Sequence, residues 1–165
     1  MTSVSSGEIP GLDLSDKPIL LVSTLKNSMR TLKEYLQSDA FVKHCGIELV
    51  SVSPGQAVSR MAIQPWHHNA LGIVQGGAIF TLADYTFAAA SNAHGTVALG
   101  INVNITYMKS ATAGVLTAKA REVALNPKLA TYTVDVTDDA GELVAVFQGL
   151  VYRKKQAIEG IAATE

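Results

Sequence analysis

The feature that most constrains this chain is the run from Ala78 to Asn92. It is rich in alanine, lacks proline and carries a single formal charge, Asp84. The run is apolar on nearly every side, which predicts a helix buried around most of its circumference. Gly76-Gly77 stands at its start and Gly95 is placed to end it. Beyond Gly95 the hydrophobic period changes to two. Strands are expected at about 96–108, 114–125, 128–138 and 142–153, with Val and Thr in number. Asn126-Pro127 and Asp138-Asp139-Ala140-Gly141 supply the turns between the last three. Upstream, Gly46–Val52 and Ala57–Ile63 alternate around Pro54-Gly55, a hairpin signature. One long apolar helix beside several antiparallel strands gives an α+β class, with the sheet wrapped over the helix.

Residues 1–44 read as an N-terminal extension, loose up to about residue 17 and then helical. Leu21, Leu25, Met29, Leu32 and Leu36 recur at three- and four-residue steps from Ile19 to about Val42, and Ser38-Asp39 offers a break with a new cap. Residues 45–155 form the expected domain and 156–165 a tail. The chain is 48% hydrophobic and 16% charged, enough apolar material for one core. Its net charge of -1 and the absence of a basic stripe argue against nucleic acid as a partner. Arg153-Lys154-Lys155 reads as a solvated chain end. The single cysteine, Cys45, allows no internal disulfide and no zinc cluster, and reads as a buried structural residue. The long uncharged runs around Asp84 are broken by polar residues, so no membrane span is expected, nor any metal site. The N-terminus has no basic region of the signal-peptide kind, and a cytoplasmic location is expected.

Asp84 is the only formally charged side chain between Arg60 and Lys109. A lone carboxylate inside an apolar helix costs several kcal/mol unless it is paired, hydrogen-bonded or protonated. A capping or solvent-facing Asp is the plain alternative. Gly76-Gly77 favours a functional role, because a glycine-started helix leaves bare N–H groups that can polarise a carbonyl. Eight residues separate Gly76 from Asp84, about 12 Å along a helix axis. One carbonyl carbon cannot touch both. If the two act on one substrate, Asp84 of one copy must meet Gly76 of another across a two-fold axis.

The segment from His68 to Asp84, with Asn69, Gly72, Gln75, Gly76-Gly77 and Leu82-Ala83-Asp84, resembles the phenylacetate-degradation (PaaI) branch of hotdog-fold thioesterases. The likeness runs on through Asn104-Ile105-Thr106-Tyr107-Met108 and covers roughly 45–153. It implies a hotdog fold, a long central helix in a curved antiparallel sheet, paired into homodimers or dimers of dimers with sites at the interface. It implies hydrolysis of acyl-CoA thioesters, with coenzyme A as part of the substrate and no separate cofactor. Asp84 would be nucleophile or general base, Gly76 or Gly77 would polarise the carbonyl through its N–H, and Asn69 would place the carbonyl or the water. Gln75, His68 and Thr81 lie beside them as candidate substrate contacts. Lys128 and Arg153 are candidates for the CoA phosphates. Gln75 stands where the family usually has His; it cannot titrate near neutral pH, and His67 or His68 is a candidate to compensate. Phe80, Tyr85, Phe87 and Tyr107 are equally candidates for an acyl pocket and for core. Two other readings remain: a non-catalytic acyl-CoA-binding protein, suggested by Gln75, and a hotdog hydratase or dehydratase, whose His-plus-acid motif is not found here.

Overall fold

The structure is a computed structural model and describes residues 31–159. The part of the expected N-terminal helix before Thr31 lies outside the described residues. Two short helices follow, α1 (Leu32–Leu36) and α2 (Ala40–His44). Thr31 and Glu34 form a reciprocal capping box on α1. Asp39 caps α2 through the Phe41 and Val42 N–H groups, so the break expected near Ser38-Asp39 is present.

Six strands then build one antiparallel sheet around one long helix. They are β1 (Ile47–Ser53), β2 (Gln56–Ala62), β3 (Thr96–Tyr107), β4 (Val115–Leu125), β5 (Leu129–Thr137) and β6 (Leu143–Ala157), with α3 (Gly76–Asn92) between β2 and β3. Their spatial order is β1-β2-β4-β5-β6-β3. The helix touches all six strands, which a flat sheet could not achieve; the sheet curves around it, the hotdog arrangement. β6 runs to Ala157 and Ile158 is buried, so ordered packing continues past residue 155 into the expected tail.

Alternation sets the core. Met61, Leu116, Ala118, Tyr132, Val134, Val136, Phe147 and Val151 turn inward from the strands, and Ile79, Leu82, Ala83, Phe87, Ala89 and Ala90 meet them from the helix. Each large side chain so buried contributes roughly 1.5–3 kcal/mol of transfer free energy. Phe87 is central: its ring lies 5.5 Å from both Tyr132 and Phe147. Gly149 on β6 makes this possible, because a Cβ there would lie 2.7 Å from Cζ of Phe87.

Among the described residues the cover is incomplete on one side. Thr81, Asp84, Ala88 and Asn92 are half-buried, Gly77 is exposed, and they fall three to four residues apart on one stripe of α3. That stripe lies beside β3, which pairs with β6 alone and is therefore an edge of the sheet. β3 carries no charged residue, and its Leu99, Ile101, Val103 and Tyr107 are exposed, as is Met108 just beyond it.

Candidate functional site

Asp84 opens onto a cavity of ≈ 690 Å³ between the uncovered stripe of α3 and β3. Phe80, Phe87, Ala88 and Ser91 line it from the helix, and the segment from Ala98 to Val103 lines it from the edge strand. Asp84 is the sole charged residue of that lining, and its carboxylate accepts no hydrogen bond from the described residues. Burial alone pushes its carboxyl above the usual carboxylate value. An ionised Asp84 is thus under-solvated and has no partner among the described residues.

Several hydrogen bonds hold the start of α3, among them one from the Gln75 N–H to the His67 carbonyl at 2.8 Å. The Gln75 side chain caps the helix by accepting from the Gly77 N–H. The Gln75 carbonyl accepts from Ala78 N at 2.9 Å. Tyr107, the last residue of β3, donates its hydroxyl to the Gly76 carbonyl at 2.8 Å. The Gly76 N–H meets no acceptor among the described residues. Of the two glycines, then, Gly76 keeps a free donor, while that of Gly77 is committed to Gln75. Gln75 thus caps the helix through its amide, a group that does not titrate.

The loop before the helix is tied down by its own polar groups. Asn69 Oδ1 accepts from Leu71 N at 2.9 Å and from Ile73 N at 3.4 Å. Its Nδ2 has no acceptor among the described residues and remains able to donate. His67 is buried, accepting at Nδ1 from Gln64 N and donating from Nε2 to the Cys45 carbonyl at 3.0 Å. Burial lowers its pKa, so it is a neutral tether in one fixed tautomer. His68 Nε2 is bonded to the Thr112 carbonyl at 2.9 Å. Both imidazoles are used by the fold, and neither does the capping work of Gln75. Thr81 donates its hydroxyl to the Gly77 carbonyl at 2.8 Å, an intrahelical bond on the open stripe.

Thr81 stands on the helix about one turn before Asp84, Asn69 lies in the loop that precedes the helix, and Gln75, Gly76 and Gly77 form its N-terminal end. Asp84 lies about 12 Å further along the axis, as the helix rise requires. Lys128 and Arg153 are at the other end: Arg153 pairs in register with Ala98 at the beginning of β3, and Asn92 bonds Ala98 from the end of α3. Arg153 spends one donor on the Asn126 carbonyl at 2.9 Å, whereas Lys128 is exposed with no side-chain bond among the described residues. Residue patterns missed the contribution of β3. Ser91 and the stretch from Ala98 to Val103 line the cavity because the edge strand runs past the open stripe. The long uncharged, apolar character of 96–108 was the available signal. Among the described residues no group of three or more His, Cys, Asp or Glu side chains is placed to hold a metal, and no helix is long and apolar enough to cross a membrane.

With this geometry in hand, comparison with known proteins is specific. Residues 71–145 match the family model described as the thioesterase superfamily. A protein of Archaeoglobus fulgidus that carries a provisional esterase name is 42% identical over 135 residues, covering 79% of this chain and 88% of its own length. The acyl-coenzyme A thioesterase PaaI of Escherichia coli is 31% identical over 127 residues, covering 76% of this chain and 91% of that protein. The solved structure of the Escherichia coli PaaI protein superposes with a TM-score of 0.74 at 27% identity, across 82% of this chain and 97% of that one.

Proposed function

This chain belongs to the thioesterase superfamily, and from that premise we propose that it hydrolyses acyl-CoA thioesters as a homodimer whose two sites lie between the copies. The observation that carries the proposal is the Asp84 carboxylate, unpaired among the described residues and the sole charge in the cavity lining.

The thioester carbonyl oxygen accepts from the free Gly76 N–H, where the positive end of α3 favours developing negative charge. Asn69 Nδ2 orients the carbonyl or the attacking water. Asp84 either takes a proton from the water that attacks the carbonyl carbon, or attacks that carbon itself to give a mixed anhydride that water then hydrolyses. The thiolate of coenzyme A leaves and is protonated, and the acid is released. The axial gap of about 12 Å supports a site in which Gly76 and Asp84 come from different copies. The open edge of β3 supports this assembly. A 12-residue edge without charges is a template for strand pairing. Antiparallel pairing of two β3 strands lays the open stripes of both helices against each other. Lys128, with Arg153 beside it, supplies positive charge for the phosphates of coenzyme A. A substrate of this kind agrees with a cytoplasmic location, which fractionation tests.

The decisive assay is thiol release from a panel of acyl-CoA esters by the wild-type protein, Asp84→Asn and Asp84→Ala. Loss of one carboxylate base or nucleophile lowers turnover by about 10²–10⁴-fold. Wild-type rates in both variants would remove Asp84 from the chemistry. Tight acyl-CoA binding without thiol release from any ester would make the protein a binder.

A further inference from the structure

The cavity beside Asp84 is asymmetric along α3. One turn before Asp84 the open side carries Phe80, whose ring packs on Phe147 at 5.6 Å. After Asp84 it carries Phe87, whose ring packs into the core on Tyr132 and Phe147, and then Ala88 and Ser91, which are small. β3 contributes the small Ala98 and Gly100 to the lining, alternating with Leu99 and Ile101. Positions 84, 88 and 91 share one helical face, and Ser91 lies about 10 Å beyond Asp84 along the axis. The far end is fixed: Asn92 holds Ala98 by two bonds, 3.0 Å to its N–H and 3.2 Å to its carbonyl. Ser91 is buried and spends its hydroxyl proton on the Ala88 carbonyl at 3.1 Å. Among the described residues no cationic side chain lines the cavity.

We propose that the stretch from Asp84 to Ser91 is the acyl chamber, that Ala88 sets its usable width, and that it selects uncharged acyl groups over acyl groups ending in a carboxylate. This rests on the thioesterase reading above. A chamber about 10 Å long holds a straight chain of about eight carbons or a single aryl ring on a short arm. Each methylene taken from water into it is worth about fourfold in kcat/KM until the end wall is met. A terminal carboxylate meets the reverse: it loses its water, finds no cation, and shares the cavity with Asp84.

The test uses the full-length protein with straight-chain acyl-CoA esters from acetyl to dodecanoyl, phenylacetyl-CoA, and adipoyl-CoA beside hexanoyl-CoA. In the wild type kcat/KM climbs to about octanoyl and then stops rising. Adipoyl-CoA falls on the order of a hundredfold below hexanoyl-CoA. Ala88→Phe lowers the octanoyl-to-propionyl ratio of kcat/KM by about tenfold or more, and Ala88→Leu lowers it less. A ratio that both substitutions leave unchanged overturns the chamber, and equal rates for adipoyl- and hexanoyl-CoA overturn its charge selection. If the wild type releases no thiol, the hydrolysis reading fails separately. The chamber is then read from the affinities of non-hydrolysable propyl- and octyl-CoA thioethers. A fall in the octyl-to-propyl ratio in Ala88→Phe supports it, and an unchanged ratio sinks it.

Discussion

Tyr107 donates its hydroxyl to the Gly76 carbonyl at 2.8 Å, fastening the end of the edge strand to the first residue of the central helix. The bond joins the two elements that border the open cavity, and it lies one peptide group away from the free Gly76 N–H. Tyr107→Phe removes one hydrogen bond and little else. Its expected cost in urea unfolding is about 0.5–1.5 kcal/mol. If the bond also orients Gly76, kcat falls more than KM rises, because the oriented N–H matters most when charge develops on the carbonyl oxygen. Unchanged kcat in a variant of lowered stability would confine Tyr107 to a structural role.

In the proposed mechanism Asp84 acts in its ionised form, and burial raises its pKa. Turnover therefore rises with pH through a midpoint above the ordinary carboxylate value of 3.8. Stability moves the opposite way. The native state holds its proton to higher pH than the unfolded chain does, so ionisation destabilises the fold as pH rises through that range. Asp84→Asn is expected to melt higher than the wild type at pH 7 and to lose that advantage below pH 3.8. Thermal melts across pH check the sign, and a variant less stable than the wild type at pH 7 would contradict it.

Glu122 behaves inversely. Burial pushes its carboxyl up, but hydrogen bonds from Tyr132 and His94, each at 2.7 Å, and the nearby Arg153 charge outweigh burial and hold it below its usual value. A depressed acid stabilises the fold above its unfolded pKa, and that contribution disappears as pH falls through the folded one. Glu122→Gln should lower the melting temperature at pH 7 and converge on the wild type in acid. A constant offset at every pH would assign the loss to packing instead of charge.

Two inactive variants can test whether the site is shared. Gly76→Pro deletes the free N–H at the first helical position, where proline is tolerated, while pressing on Tyr107, since a Cβ there lies 3.1 Å from its ring and hydroxyl; Asp84→Ala deletes the carboxylate. Mixed after gentle dissociation, they form heterodimers in which one site carries both defects and the other neither. Activity should return to about half of the wild-type value per heterodimer. No recovery, with heterodimers present by native mass spectrometry, would place Asp84 and Gly76 in the same copy's site.

Much of this fold was legible because two periodicities decide it. The apolar run after Gly76-Gly77 became α3, and the alternating segments became strands within a few residues of their expected ends. Asp39 capped a new helix where a break was expected, because a cap depends on neighbours only two or three residues away. The loop residues were harder. Asn69 and His68 carry the right chemistry for substrate contact, but bonds to Leu71, Ile73 and Thr112 claim part of their capacity, and Thr112 is distant in sequence. Gln75 looked like a lost histidine until its amide was found on the Gly77 N–H.

By itself the sequence determined that one carboxylate would sit in an apolar helix about 12 Å from a bare glycine start, since helix rise is local and fixed. It could not determine which side of that helix stays uncovered. That followed from strand order: β3 comes next in the chain after α3, yet it joins the far edge of the sheet beside β6 and leaves its own outer edge open. Strand order is set by side-chain packing between residues far apart in sequence, such as Phe87 against Gly149. Only that packing placed Asp84 beside an open edge strand, with a cavity in front of it.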